Sequence, residues 1–215
     1  MINNPYIEKV KAHPNIITKS EEASKHKGKW NEFFGNNNPI VLEIGTGLGN
    51  FFSTEASKNP DKNYIGMEIK YKRVYNTAEK TIAKGGENFV VIKDFAQKIT
   101  DIFADGELEL TYIFFPDPWA KKDRQKKHKL LQEEFLTNLC NKTKIGGKVI
   151  FKTDHKEYFD ETLEILDELN LWEQSRKTYH YEKDIEEFDV TNITEFEQIF
   201  RGHKLEICYI ELTKK

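Results

Sequence analysis

The stretch EIGTGLGNF (43–51) carries three glycines at alternate positions, a spacing suited to holding a ligand close to the backbone. Gly45, Gly47 and Gly49 allow a tight turn, because glycine adopts backbone conformations that other residues avoid. Asn50 stands where the dinucleotide-binding fingerprint has its third glycine. The loop therefore predicts a ligand-binding turn, but the loop alone does not identify the ligand.

Two acidic residues narrow the choice of ligand. Glu68 ends a predicted strand 25 residues after Glu43, where a carboxylate can accept hydrogen bonds from both hydroxyls of a ribose. Glu43 interrupts an apolar run, and an unpaired carboxylate there is costly, so it needs a ligand ammonium or a hydrogen-bonded network. S-adenosylmethionine has the ammonium, a ribose and a sulfonium, whereas the pyrophosphate of a dinucleotide would be repelled. These residues predict S-adenosylmethionine and disfavour a nicotinamide-dependent oxidoreductase.

A second unusual stretch is FFPDPW (114–119). Asp117 stands between Pro116 and Pro118, whose fixed φ angles limit the freedom of the backbone. A carboxylate held in this way suits the orientation of a ligand. Trp119 suits either stacking on a base or filling a hydrophobic space beneath the loop, and both interpretations remain open.

The positive charge is concentrated directly after this stretch. Residues 151–197 hold 15 acidic against 5 basic residues, a balance of −10, so the rest of this chain of net charge −3 carries +7. Charge alone favours a solvated loop, and a contact with a polyanion is the alternative. The cations of this run, which Asp123 alone opposes, are Lys121, Lys122, Arg124, Lys126, Lys127 and Lys129.

Apolar runs alternate with segments of helical periodicity along the chain. This alternation predicts an α/β fold with a doubly wound, mainly parallel, seven-stranded sheet, in which ligands bind beyond the carboxyl ends of the strands. A single domain is expected over residues 31–215, preceded by a polar, lysine-bearing arm at 1–30. The predicted parallel strands are 39–45, 63–69, 88–94, 110–115 and 148–153, and two later strands near 172–181 and 205–212 are expected to form an antiparallel pair.

The composition limits the remaining possibilities. With 38 % hydrophobic residues, the 215-residue chain can bury a sizeable core. Cys140 and Cys208 lie in apolar segments, so buried free thiols are expected rather than a disulfide or a metal site. We find no apolar run of signal-peptide or membrane-spanning length, which predicts a cytoplasmic protein without a membrane partner.

Several segments together resemble the bacterial tRNA (guanine-N7)-methyltransferases, over nearly the whole chain. The FPDPW box followed by lysines is the most specific of them, since many methyltransferases share the glycine loop. The matching segments are KGKWNEFFGNNNPIVLEIGTGLG (27–49), GMEIKYKRV (66–74), FFPDPWAKK (114–122), GGKVIFKTDHKEYFD (146–160) and TEFEQIFRGHKLEICYIEL (194–212).

The resemblance implies a class I (Rossmann-like) methyltransferase fold and a defined reaction. The expected enzyme transfers a methyl group from S-adenosylmethionine to N7 of guanine 46, in the variable loop of tRNA, without an obligate protein partner. Guanine N7 carries its lone pair in the ring plane, so placement, rather than proton removal, is the main task. The resemblance assigns Asp117 the catalytic role, as a group that orients the guanine or the cofactor and offsets developing positive charge.

The resemblance also assigns binding residues. Glu43, the three glycines, Glu68 and Asp117 are expected to contact the cofactor, together with an acid after the third strand. At that position Phe95 occupies the family's aspartate site and Asp94 is one residue away, so either Asp94 substitutes or backbone groups and Phe95 hold the adenine. The expected substrate residues are Lys121, Asp154, Thr194, Glu195, Phe196 and Glu197, and the expected RNA contacts are Asp123, Arg124, Gln125, Lys126, Lys127 and His128.

Three features leave alternatives open. Ala120 replaces a proline of the family pattern, and one residue is inserted between Lys122 and Leu130, so the basic loop is expected to be either shifted or more mobile than in the family. The TEFE stretch (194–197) also suits a helix N-cap box, with Thr194 as the cap and Glu197 reaching back.

A methyltransferase of similar fold that acts on a small molecule or a protein would not need the basic run. An RNA-binding relative without catalysis would tolerate loss of Glu43 and Asp117.

Overall fold

The computed structural model describes residues 4–119, 128–184 and 193–215. In this part of the chain, eight strands form one sheet in the order β1-β4-β3-β2-β5-β6-β8-β7. The strands are Ile16–Ile17 (β1), Ile40–Ile44 (β2), Asn63–Met67 (β3), Phe89–Ile92 (β4), Leu108–Phe114 (β5), Thr143–Thr153 (β6), Trp172–Thr178 (β7) and Cys208–Lys214 (β8).

The central strands are parallel and buried, as their continuous apolar runs predict. Every residue of β2, β3 and β4 is buried. Strand β2 pairs in parallel with both β3 and β5, so the strand order reverses between β2 and β5. A reversal of this kind opens a crevice at the carboxyl ends of the strands, where doubly wound sheets bind their ligands.

Helices cover both faces of the sheet and bury one side each. The 13-residue helix after β3 places Val74 and Ala78 in the core, one turn apart, while Ile82 of the same row remains half exposed. The α-helices are Tyr6–Lys11 (α1), Ser20–Ala23 (α2), Trp30–Phe34 (α3), Asn50–Lys58 (α4), Tyr71–Ala83 (α5), Ile99–Ile102 (α6), Glu133–Lys142 (α7), Lys156–Leu169 (α8), Tyr181–Asp184 (α9) and Glu195–Gly202 (α10).

The last two strands confirm the expected antiparallel pair. Strand β8 lies between β6 and β7 and is antiparallel to both. The four-residue α9 and the eight-residue α10 lie between β7 and β8 in the chain. Cys140 and Cys208 are buried free thiols, as their apolar surroundings predict. Across the described residues, we find no helix with the length and apolarity that a membrane crossing needs.

The N-terminal segment differs from the expected polar arm. Strand β1 pairs with β4 through Ile16 and Ile17, which adds an eighth strand to the seven predicted. Val10 and Ala23 are fully buried. Because these few apolar residues are separated by charged and amide side chains, they give no periodic signal in the sequence. Residues 4–30 are nevertheless packed against the edge of the sheet.

This packing predicts that Ile17→Ala destabilises the whole protein. Ile17 is 5 % exposed in the main core, so its truncation leaves a cavity and should lower the free energy of unfolding by about 2–5 kcal/mol. Lys19→Ala, an exposed position in the same segment, should change it by less than about 0.5 kcal/mol. Urea denaturation measures both. Equal unfolding midpoints for the two variants would mean that the segment does not contribute to the core.

Candidate active site

A cavity of about 830 Å³ lies at the carboxyl ends of β2, β3, β4 and β5. Its volume is within the range of small-molecule and cofactor sites. The cavity brings together predicted residues from separate segments of the chain. Those that line it are Gly45, Gly47, Glu68, Asp94, Phe95, Asp117, His128 and Phe196.

The glycine loop connects β2 to α4 with an unusual backbone. Gly45, Gly47 and Gly49 have φ angles of 79°, 55° and 81°, in the left-handed region that favours glycine. A Cβ atom on Gly49 would lie 2.6 Å from Thr77 Oγ1 and 2.7 Å from Thr77 Cα. The third glycine therefore serves the close approach of the loop to α5, and the first two form the turn beside the cavity.

Glu68 is held firmly at the end of β3. Its Oε2 accepts a hydrogen bond from Gly47 N at 3.1 Å, and its Oε1 accepts from the backbone of Ile69 (2.9 Å) and Lys70 (3.0 Å). Arg73 Nη1 lies 3.7 Å from Oε2. A carboxylate offers about four acceptor sites, so these bonds fix its orientation and still leave capacity for a ligand hydroxyl.

Glu43 is buried beside a small space that adjoins the cavity. This space of about 20 Å³ shares Gly45, Gly47 and Phe196 with the larger one, and Glu195 also lines it. Within the described residues, Glu43 Oε2 has no hydrogen-bond partner. Burial raises the pKa of Glu43 well above its usual range, and the nearby carboxylates of Glu195, Glu55 and Glu68 raise it further. The unpartnered oxygen therefore favours a cation, and the space is large enough for one group of the size of a water molecule or an ammonium.

The acid after β4 performs a structural task that the sequence did not indicate. Asp94 Oδ2 accepts a hydrogen bond from Ser20 N, at the start of α2, and Oδ1 accepts from Phe95 N, both at 2.8 Å. Burial alone would raise the pKa of Asp94, but these hydrogen bonds lower it below its usual value. Phe95 is 58 % exposed in the cavity wall. The apolar ring is thus available to a ligand, and the two hydrogen bonds fix the orientation of the carboxylate.

The FPDPW turn forms part of the cavity wall and has a strained backbone. Phe115 and Trp119 have φ angles of 50° and 46°, which are unfavourable for residues with bulky side chains. Phe115 N donates to Lys152 O at 2.8 Å, and Asp117 Oδ1 accepts from Trp119 N at 3.0 Å. The turn is therefore held at its start by β6 and at its end by the side chain of Asp117.

Aromatic and basic residues follow the turn. Trp119 is 36 % exposed in the cavity wall, and its ring lies 5.3 Å from that of His128. This position differs from a plug beneath the loop. Lys129 is buried and ion-paired with Glu161, so this cation of the basic run is not available to a polyanion. The predicted contacts Lys121, Asp123, Arg124, Gln125, Lys126 and Lys127 lie outside the described residues.

The TEFE stretch lies at the start of α10, and its side chains make different contacts. Thr194 Oγ1 accepts from Glu197 N at 3.1 Å, which confirms the N-cap. Glu195 Oε1 accepts from Asn50 N at 3.1 Å, so Glu195 caps α4 next to the glycine loop. Phe196 lines the cavity. Asp154 follows β6 at the same edge of the sheet and is exposed, but does not contribute to the cavity wall.

Glu197 does not line the cavity, and its carboxylate reaches into the interior of the protein rather than back to the start of its helix. It is fully buried, and its Oε2 lies 3.1 Å from Lys152 Nζ, which is also fully buried. Its Oε1 accepts from Arg201 Nη2 at 2.5 Å. Sequence reasoning missed Lys152, since a single lysine in an apolar strand has no recognisable partner before the fold is known.

Comparison with known proteins finds methyltransferase relatives over nearly the whole chain. A family model described as "Putative methyltransferase" (Methyltransf_4) matches residues 37–209. The tRNA (guanine-N(7)-)-methyltransferase of Geobacillus sp. (strain WCH70) is 34 % identical, over 99 % of this chain and 96 % of that protein. A bifunctional glycosyltransferase/methyltransferase of Fusobacterium nucleatum is 35 % identical over 98 % of this chain, which spans 33 % of that longer protein.

The fold comparison is equally extensive. The crystal structure of the 16S rRNA methyltransferase KamB aligns with a TM-score of 0.63 at 14 % identity, over 87 % of this chain and 93 % of that one. At this identity the likeness concerns the fold. It agrees with the predicted doubly wound architecture.

The buried Oε2 of Glu43, which has no partner in the described part of the chain, predicts a stability change that depends on pH. The pKa of Glu43 is higher in the folded than in the unfolded state. The free energy of unfolding of the wild type therefore falls as the pH rises from the unfolded-state pKa through the folded-state pKa. Glu43→Gln removes this loss. The free energy of unfolding of the variant should therefore exceed that of the wild type by on the order of 1 kcal/mol at pH 8 and by less at pH 5. Urea denaturation at both pH values measures the difference.

Glu211→Gln provides the matched control. Glu211 is a buried acid of the same sheet, but its Oε1 lies 2.7 Å from Lys148 Nζ. Removing a paired carboxylate should lower stability at pH 8 rather than raise it. A Glu43→Gln variant that loses stability at pH 8 would show that the carboxylate has a partner in the folded protein.

Proposed function

The chain belongs to the family of tRNA (guanine-N7)-methyltransferases, which use S-adenosylmethionine, and on this premise we propose that it methylates guanine 46 in the variable loop of tRNA. One observation carries the proposal. The FPDPW turn, with Asp117, forms one wall of a cavity whose other walls are the glycine loop and Glu68. A base and a methyl donor can therefore meet at the end of β5.

The residues present fit the cofactor. The unpartnered oxygen of Glu43 beside an ammonium-sized space suits the amino group, and the oriented carboxylate of Glu68 suits a ribose hydroxyl. Phe95 gives the adenine an apolar surface, while Asp94 remains bonded to the backbone of Ser20 and Phe95. S-adenosylmethionine supplies an electrophilic methyl group when it is bound.

Asp117 acts by orientation and charge. Its Oδ1 is engaged by Trp119 N, so its Oδ2 is directed by a fixed turn. Guanine N7 needs no deprotonation, because its lone pair already lies in the ring plane. A fixed carboxylate near the base can hold it in line with the methyl group and stabilise the positive charge that develops on the ring. Proximity of this kind contributes about 7–11 kcal/mol in well-oriented reactions.

The base is held by the residues around this turn. Trp119 and His128 both line the cavity, and stacking of a base on an aromatic side chain contributes about 1–3 kcal/mol. Asp154, Thr194, Glu195 and Phe196 remain our candidates for the rest of the guanine site, with Phe196 in the wall itself. We assign Glu197 no contact with the substrate, because it is buried in an ion pair.

The direct test incubates the protein with labelled S-adenosylmethionine and unmodified tRNA transcripts. Aniline cleavage then maps the modified base, because it breaks the chain at N7-methylguanine. We expect label and cleavage at guanine 46, and transcripts with another base at this position should remain unlabelled. Labelling of protein or small-molecule fractions without tRNA labelling would favour a different substrate class.

The same assay tests Asp117. Asp117→Ala and Asp117→Asn should both lower the rate of methyl transfer at least about 100-fold, as the removal of a fixed transition-state interaction does. The asparagine variant keeps an oxygen that accepts from Trp119 N, so it separates the charge from the shape of the turn. Methyl transfer near the wild-type rate in Asp117→Asn would mean that only the shape matters.

The basic run after the turn predicts salt-dependent tRNA binding. Lys126→Glu with Lys127→Glu should weaken tRNA binding and reduce the slope of log affinity against log salt by about 2, one for each phosphate that is no longer neutralised. The control is Lys62→Glu with Lys144→Glu, at the amino ends of β3 and β6, which makes the same change in net charge. Filter binding at several salt concentrations distinguishes them. Equal slopes for both pairs would assign the effect to net charge alone.

A further inference from the structure

Helix α10 connects the interior of the protein to the cofactor side of the cavity. From its first turn, Glu195 caps the N-terminus of α4 at Asn50, and Phe196 lines the cavity beside Gly47. A Cβ atom on Gly47 would lie 3.8 Å from the ring of Phe196. The position of α10 therefore affects the shape of the glycine loop and of the cavity.

A buried charge cluster holds α10 in this position. Lys152 and Glu197 are both fully buried, with Nζ and Oε2 3.1 Å apart, and Arg201 binds the second oxygen of Glu197. Lys152 Nζ also lies 3.9 Å from the ring centre of Tyr181. Breaking a buried pair leaves an uncompensated charge and is strongly unfavourable, so the cluster defines where the helix can lie.

The side chain of Lys152 contacts α10, and its backbone contacts the FPDPW turn. Its carbonyl oxygen accepts from Phe115 N, in the strained FPDPW turn. Its side chain lies 5.1 Å from the ring centre of Phe114, the last residue of β5. One residue of β6 is thus in contact with both the turn that carries Asp117 and the helix that adjoins the glycine loop.

We propose that Lys152 is a positioning residue for the cofactor site: it fixes Glu197, and through Glu197 it places Glu195 and Phe196 of α10 against the glycine loop. The inference rests on the proposed function, since it assigns the cavity to S-adenosylmethionine. This positioning role differs from a purely structural one, because an ion pair that contributes only to stability would leave the affinity for the cofactor unchanged.

Calorimetric binding of S-adenosylmethionine tests the inference on the folded full chain. Lys152→Met and Glu197→Gln should each raise the dissociation constant at least about tenfold, and the double variant should recover part of the affinity that Glu197→Gln loses, since no buried ammonium is then left without its carboxylate. The Michaelis constant for the cofactor should rise more than that for tRNA. Unchanged dissociation constants in variants that fold would overturn the inference.

Lys148→Met is the matched control. Lys148 lies on the same strand and pairs with the buried Glu211 at 2.7 Å, four residues from Lys152. This variant should lose stability while its dissociation constant for S-adenosylmethionine stays within about twofold of the wild type. A fall in affinity equal to that of Lys152→Met would show that any broken pair on β6 has the same effect, which contradicts a specific role for Lys152.

A measurement on the wild type covers the case in which Lys152→Met does not fold. Saturation with S-adenosylmethionine should slow amide hydrogen exchange in α10 together with the glycine loop, and leave α8 unchanged. If exchange became slower in the glycine loop but stayed unchanged in α10, the proposed coupling between α10 and the cofactor site would be overturned. Parallel tRNA assays separate the two levels: a wild type that binds the cofactor but does not methylate tRNA contradicts the proposed function and leaves the positioning role intact.

Discussion

The active site depends on the parallel register of β2 with β3 and β5. Ile44 is level with Met67 on one side and with Ile113 on the other. Because the three strands end together, the glycine loop, Glu68 and the FPDPW turn leave the sheet at one edge. No single contact in the cavity could assemble these groups, which belong to different segments of the chain. Burial of these strands on both faces stabilises the parallel pairing, and the pairing in turn brings the three groups together.

The site itself contains features that destabilise the folded chain. Glu43 has a buried oxygen without a partner among the described residues, and Phe115 and Trp119 adopt left-handed backbone conformations. Such features persist only where the surrounding structure determines them strongly. Here the turn is held by a hydrogen bond to β6 and by the carboxylate of Asp117. These unfavourable features are concentrated at one edge of a well-packed sheet, where backbone strain and an unpartnered buried carboxylate oxygen are typical of a functional site.

The sequence predicts the elements whose residues have a regular environment. The central strands are buried on both faces, so their apolar runs are continuous, and the glycine loop follows from local backbone geometry. Strand β1 could not be predicted in this way, since Ile16 and Ile17 form only two pairs at the edge of the sheet. Asp94 shows the same limit within the site: the spacing places it near the cavity, but its bond to Ser20 joins residues 74 positions apart.

The TEFE stretch shows why a motif does not determine the roles of its members. The spacing of Thr194 and Glu197 predicts a helix start, and the threonine does cap it. An α-helix has about 3.6 residues per turn, so Glu197 and Arg201 share a face, and that face is turned towards the interior. A carboxylate buried there needs a cation, and Lys152, 45 residues earlier, supplies it. Glu195 and Phe196 point instead to the glycine loop and the cavity. The same four residues therefore include a helix cap, an internal ion pair and part of the cavity wall, and only the position of the helix shows which residue has which role.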